Sequence, residues 1–174
     1  MSYKIYQHRI FLFVLLLATG LLMSCGHHFG NKQASDITVT HTFPDGNWTF
    51  EEQVLNFNFD ISDTSNYYSI SFQLNYDSTI NVLTDLPLNI TLIYPDGMET
   101  FVTSQFNFDP AINKSIMPTG KAGVCNMPLV AFPKKKLNQK GTYTVTLYRK
   151  AKKYDNYGFN SLTLNVKNLG KKDK

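Results

Sequence analysis

The sequence predicts an all-β protein, an antiparallel β-sandwich of immunoglobulin-like or jelly-roll type, preceded by a lipoprotein signal peptide. Three observations carry this reading. Apolar and polar residues alternate with period two through most of the chain after residue 36. Proline-aspartate-glycine turns and other polar breaks punctuate those runs. The first 25 residues have the charge, apolar core and small-residue end of an export signal.

The amino terminus is read first. Lys4 and Arg9 make a positive start, and 14 apolar or small residues follow from Ile10 to Met23. A membrane-crossing helix needs about 20 apolar residues, so this run fits a secretory h-region instead. Leu22-Met23-Ser24-Cys25-Gly26 then reads as a lipobox. The small Ser24 suits a peptidase pocket, and the Cys25 thiolate is the nucleophile that accepts a diacylglyceryl group. Residues 1–24 are thus expected to be a cleaved signal peptide, with Cys25 the lipidation site. Residues 25–36 form a polar tether, 37–168 the sandwich, and 169–174 a basic tail. Two or three acyl chains make a stable anchor where one makes a marginal one. Position 27 is His and not Asp, so a familiar inner-membrane retention signal is absent. The expected address is the outer membrane, lipid-anchored, with the domain facing the periplasm.

The strands follow in order. Ile37 to Thr42 is a weak strand, ended by the turn Pro44-Asp45-Gly46. Leu55, Phe57, Phe59 and Ile61 alternate with Asn56, Asn58 and Asp60. After a polar turn at 63–66, Tyr68 to Tyr76 alternates at every position. Leu88 to Tyr94 repeats the pattern before the turn Pro95-Asp96-Gly97, and Phe101 to Phe108 is a second weak strand. Tyr143 to Tyr148 follows Lys140-Gly141, and Ser161 to Val166 follows a turn at 155–158. Seven or eight strands with one polar face each require two sheets packed face to face. Pro110 to Lys136 holds four prolines and little alternation. It reads as a long loop with a short strand near 129–132, and such loops often bind partners. Solvated charge at Lys134-Lys135-Lys136 is the plainer alternative.

Charge is divided along the chain. Cys25 to Asp109 holds one base and eleven acids, and Pro110 to Lys174 holds fourteen bases and two acids. Interleaved strands would neutralise the two halves; a basic face would instead meet an acidic partner or anionic headgroups. No arginine-rich or RNA-binding motif is present, so nucleic acid is not an expected partner.

No catalytic set emerges. There is no G-x-S-x-G elbow, P-loop or H-E-x-x-H motif. Cys125 would need His41 beside it to act as a nucleophile, and a buried, inert thiol is the simpler expectation. His27-His28 lack nearby ligands, so no metal and no cofactor beyond the covalent lipid are expected. Trp48, the single tryptophan, is a candidate for stacking on a sugar, with a core position as the alternative.

The succession of lipobox, lone Trp48, Val54–Ile61, Asp63-Thr64, Tyr67-Tyr68, Leu86–Leu92 with Tyr94-Pro95-Asp96-Gly97, and Lys140–Leu147 resembles the gliding-motility lipoprotein family of the GldH type. The similarity covers most of 40–168; residues 98–136 match less closely, and Asn75-Tyr76 stand where an arginine is expected. The resemblance implies a non-catalytic accessory or structural component of a motility and secretion apparatus, acting through protein contacts in the cell envelope. Asp77-Ser78-Thr79 is similar to a short O-glycosylation motif of related bacteria, which makes Ser78 a candidate site. A glycan-binding lipoprotein serving nutrient uptake is the alternative function, and a pilus or adhesin subunit a third.

Overall fold

The computed structural model describes residues 36–77, 79–80, 85–108, 125–150 and 155–171. They form ten strands: β1 Ile37–Thr42, β2 Asn47–Trp48, β3 Val54–Ile61, β4 Tyr67–Tyr76, β5 Asp85–Ile93, β6 Glu99–Asn107, β7 Cys125–Lys136, β8 Gly141–Arg149, β9 Asn156–Tyr157 and β10 Phe159–Gly170. A single 3-10 turn, Pro44–Gly46, separates β1 from β2. All pairings are antiparallel. One sheet has the order β1-β10-β4-β7 and the other β3-β8-β5-β6, with β2-β9 a small ribbon. The two large sheets pack as a sandwich, as the alternation predicts.

Period two does the sorting. Along β4 every second residue, from Tyr68 to Tyr76, is buried, and along β3 the buried set is Leu55, Phe57, Phe59 and Ile61. The sheets meet through aromatic contacts. Phe57 of β3 sits edge-on to Phe72 of β4, with ring centroids 5.5 Å apart. Phe59 stacks on Tyr143 at 5.7 Å, both on the β3–β8 sheet. Outward-facing positions carry neutral partners: Thr144 donates to Asn58 and Thr146 to Asn56, each at 2.8 Å. Thr40 and Thr163 pair in the same way across the other sheet at 3.0 Å. Strand faces that water touches are thus tied together with hydroxyls and amides and hold few charges.

Three aspartates cap turns. Asp63, Asp77 and Asp96 each accept the backbone N–H two residues on, from Ser65, Thr79 and Met98. The Ser65 and Thr79 hydroxyls donate to Asp63 and Asp77 as well. These hydroxyl bonds first, then the backbone ones, hold Asp63 and Asp77 below their ordinary value, and the Met98 N–H does the same for Asp96.

The largest departure from expectation is β7. Residues 110–136 are not one long loop, because 125–136 form a twelve-residue strand along the full length of β4. Two register shifts, between Tyr68 and Ile70 and between Ile70 and Ser71, each insert an extra residue in β7. They put the adjacent Ala131 and Phe132 both inside the core, which erases the alternation a sequence reading relies on. The second difference is smaller. The 155–158 turn contains a two-residue strand, which pairs with Asn47–Trp48.

Buried tyrosines give the fold a pH limit. Tyr76 is pushed up to about 12, first by burial and then by the adjacent Cys125 thiol. Burial also raises Tyr68 and Tyr143. An unfolded tyrosine ionises near 10.0, so the stability these phenols add is complete below that pH. It is lost as pH rises toward about 12. The melting temperature should therefore hold to the first value and fall steeply between the two. Tyr76→Phe, measured by calorimetry across that range, should make the fall shallower; an unchanged fall would show that Tyr76 plays no part in it.

Candidate interaction surfaces

Two ends of the sandwich differ in chemistry. The far end, opposite the β3–β4, β5–β6 and β7–β8 turns, holds the chain between β1 and β3 and the approaches to β9. Its centre is Trp48, fully buried, with its ring stacked on Phe43 at 4.9 Å and edge-on to Phe159 at 6.0 Å. The indole N–H donates to the Glu52 carbonyl at 2.7 Å. Arg149, at the end of β8, is also fully buried. Its guanidinium carbon lies 5.2 Å from the centre of the Trp48 ring system. One arm donates to the Thr49 carbonyl at 2.6 Å and the other to the Asn156 side-chain oxygen. Arg149 is the core residue that sequence reasoning missed. Its signal was parity: Tyr143, Val145, Leu147 and Arg149 share the inward face of one strand.

Trp48 is therefore no stacking platform. Its indole is inside the core, and its one donor is spent on a backbone carbonyl, so it offers no exposed face to a sugar. Cys125 is half-buried at the start of β7. His41 is on β1, at the opposite edge of the same sheet. Two strands lie between them, a span of about 14 Å, so they do not form a nucleophile pair. Among the described residues no group of three or more His, Cys, Asp or Glu could hold a metal ion. Cys25 and Ser78 lie outside the described residues.

The sheet edges are unequal. β7 is guarded by Pro128, Pro133, two bulges and three lysines, which are the usual means of stopping edge-to-edge pairing. β6, the edge beside it in the other sheet, has none of these. Its nine residues carry no proline and a single charge, Glu99. Phe101, in its outward row with Thr103 and Gln105, is 78% exposed. β3, the other edge of that sheet, exposes Val54 and ends beside Asp60.

Between the start of β6 and the end of β7 lies a cleft of about 390 Å³. Its lining includes Tyr94, Met98, Glu99, Thr100, Lys135 and Lys136. Lys135 donates to Thr100 at 3.3 Å, and its ammonium lies 5.8 Å from the Tyr94 ring centre. Lys136 donates to the Ser65 carbonyl at 2.6 Å. Lys134 and Lys136 both approach the Tyr67 ring, at 4.8 and 5.2 Å.

Among solved structures the chain is similar to a non-crystalline-cellulose-specific carbohydrate-binding module, CBM28. The TM-score is 0.43 at 15% identity, covering 76% of this chain and 74% of that one. It is also similar to VP2 of the infectious bursal disease virus subviral particle, with TM-score 0.38 and 18% identity over 76% of this chain. The chain spans about a third of the length of that protein, 33%. No curated protein matches. The GldH lipoprotein family matches residues 37–170, the whole of the sandwich from β1 to the end of β10, and the chain belongs to that family of gliding-motility-type lipoproteins.

Proposed function

We propose that this protein is a non-catalytic accessory lipoprotein of a motility and secretion apparatus. It is anchored through acyl chains on Cys25 in the outer membrane, faces the periplasm and works by binding other envelope proteins. The observation that carries the binding mode is the contrast between the two neighbouring edges. β7 is blocked to further strands, whereas β6 presents an edge with one charge, Glu99 at its start, and with Phe101 in the open. An edge of this kind recruits an extended segment of a partner. Main-chain hydrogen bonds then supply affinity and alternate side chains supply specificity. The family match supports the motility context. The burial of Trp48 removes the aromatic on which a glycan-binding reading leaned.

The test is to spoil the edge without touching the core. Thr103→Lys with Gln105→Lys places two charges on exposed positions of β6. Such surface changes shift stability by only about 0.5 kcal/mol. In cells, a photo-cross-linker at position 101 should capture an envelope protein, and the double-lysine variant should lose most of that capture. Capture that is undiminished in a variant of normal melting temperature would place the contact elsewhere.

A further inference from the structure

We infer that the end of the sandwich bearing the β7 lysines is a second membrane contact, built for anionic phospholipid headgroups and acting beside the acyl anchor. The inference rests on the anchor reading at Cys25 for its direction and on the fold for its chemistry. β1 begins at Ile37, next to the last residues of β10: Ile37 is opposite Val166, and Asp36 accepts the Asn168 backbone N–H at 2.9 Å. The ladder then continues across the sheet. Asn168 is opposite Tyr68, and Tyr68 is opposite Lys135. The turns into β4, β6 and β8 close the other sheet at the same end. The chain arriving from Cys25 therefore joins the sandwich at the end that carries Lys134, Lys135 and Lys136.

Charge is graded along the strands to match. Among the described residues, this end has six lysines, at 134, 135, 136, 140, 167 and 171, and five carboxylates. Two of those carboxylates, Asp63 and Asp96, are folded into their own turns. Among the described residues the far end has six carboxylates, at 45, 51, 52, 77, 85 and 155, against Lys150 and the buried Arg149. Among these residues the positive balance lies at the end where β1 begins and the negative balance at the other.

The three β7 lysines are held mainly by neutral groups. Their ammonium groups meet the Ser65 carbonyl, the Thr100 hydroxyl and the ring of Tyr67. The imidazole of His41 lies 3.1 Å from a Glu52 carboxylate oxygen at the far end. Lys136 also feels the Asp63 carboxylate, and Glu99 lines the same cleft. Lys134 and Lys135, held by a ring and a hydroxyl, are the cations best placed to meet an external anion. Beside them, Met98 at the tip of the β5–β6 hairpin is 55% exposed. With Tyr94 it gives the cleft an apolar lip next to its lysines, a pairing that suits the boundary between phosphate and acyl chain.

The experiment uses the full, acylated protein added to preformed vesicles of phosphatidylcholine alone or with about 30% phosphatidylglycerol. Brief acetylation followed by peptide mass spectrometry reads each lysine. Labelling of Lys134, Lys136 and Lys140 relative to Lys150 should fall about fivefold in the anionic vesicles only. It should recover at about 0.5 M salt, where the screening length is a few ångströms. Lys134→Glu with Lys140→Glu should abolish the vesicle difference. Equal labelling in both vesicles, or equal protection of Lys150, would overturn the inference. The anchor reading is scored separately, by the mass of the peptide starting at Cys25 and by flotation with neutral vesicles. If that peptide carries no lipid, the anchor reading fails, and the same labelling ratio on anionic vesicles still decides whether the lysine end binds headgroups.

Discussion

Arg149→Met should lower the unfolding free energy of the sandwich by about 3–4 kcal/mol, much of the 5–15 kcal/mol that a domain of this kind possesses. Methionine fills most of the volume, so the loss is one of bonding and not of packing. Without the guanidinium, the Thr49 carbonyl and the Asn156 side-chain oxygen lose the donors that reach them inside the protein. The Trp48 ring loses the cation lying against it. Those three groups come from the β2–β3 connection, β9 and β2, so Arg149 ties the far-end segments to the end of β8. Arg149→Lys should lose nearly as much, because a single ammonium cannot serve two separated acceptors as a planar fork does. Urea unfolding followed by Trp48 fluorescence measures both. A methionine variant within about 1 kcal/mol of the parent would mean that water replaces the lost donors and that the buried charge is dispensable.

Phe72→Ala should cost a similar amount, about 3–5 kcal/mol, for the opposite reason. The ring is fully buried in the middle of β4, and its edge-on partner Phe57 belongs to the facing sheet. Truncation leaves a cavity between two layers that cannot close, since each is fixed by its own ladder of main-chain bonds. Phe101→Ala is the matched control. It removes the same atoms from a side chain 78% exposed and should change stability by less than about 0.5 kcal/mol. Equal losses in the two variants, measured by chemical denaturation, would contradict the placement of these rings.

What could be read without the structure divides along physical lines. Strands β3, β4, β5, β8 and β10 have one wet and one dry face, and each shows its period in the sequence. Period two becomes unreadable where bulges interrupt it. That is the case in β7, whose 131–132 pair buries consecutive residues. Prolines 128 and 133 argued for a loop, yet on an edge strand they cost no ladder partner and fend off others. Trp48 posed a different difficulty. A lone tryptophan after a turn has the same sequence signature whether it faces solvent or core, and only Phe43, Phe159 and Arg149 closing around it decide the matter. The inequality of the β6 and β7 edges depends on sheet order, which no local pattern encodes. The grading of charge from end to end is hidden for the same reason. The acidic and basic halves of the chain interleave as strands, but their charges sit mainly in turns and at strand ends. Chain direction then sorts those turns into two groups.

The pairing of β1 with β10 bears on how the domain carries force. The chain from Cys25 joins β1 at Ile37, and β1 runs from there to Thr42 at the far end. A pull on Ile37 directed along the axis of β1 loads the whole length of that strand. The bonds joining β1 to β10 lie across that axis, over six residue pairs. They resist in parallel, as a shear joint does, and do not open one after another like a zipper. In the accessory role proposed for this protein, a load entering at Ile37 would meet the strand whose geometry distributes it.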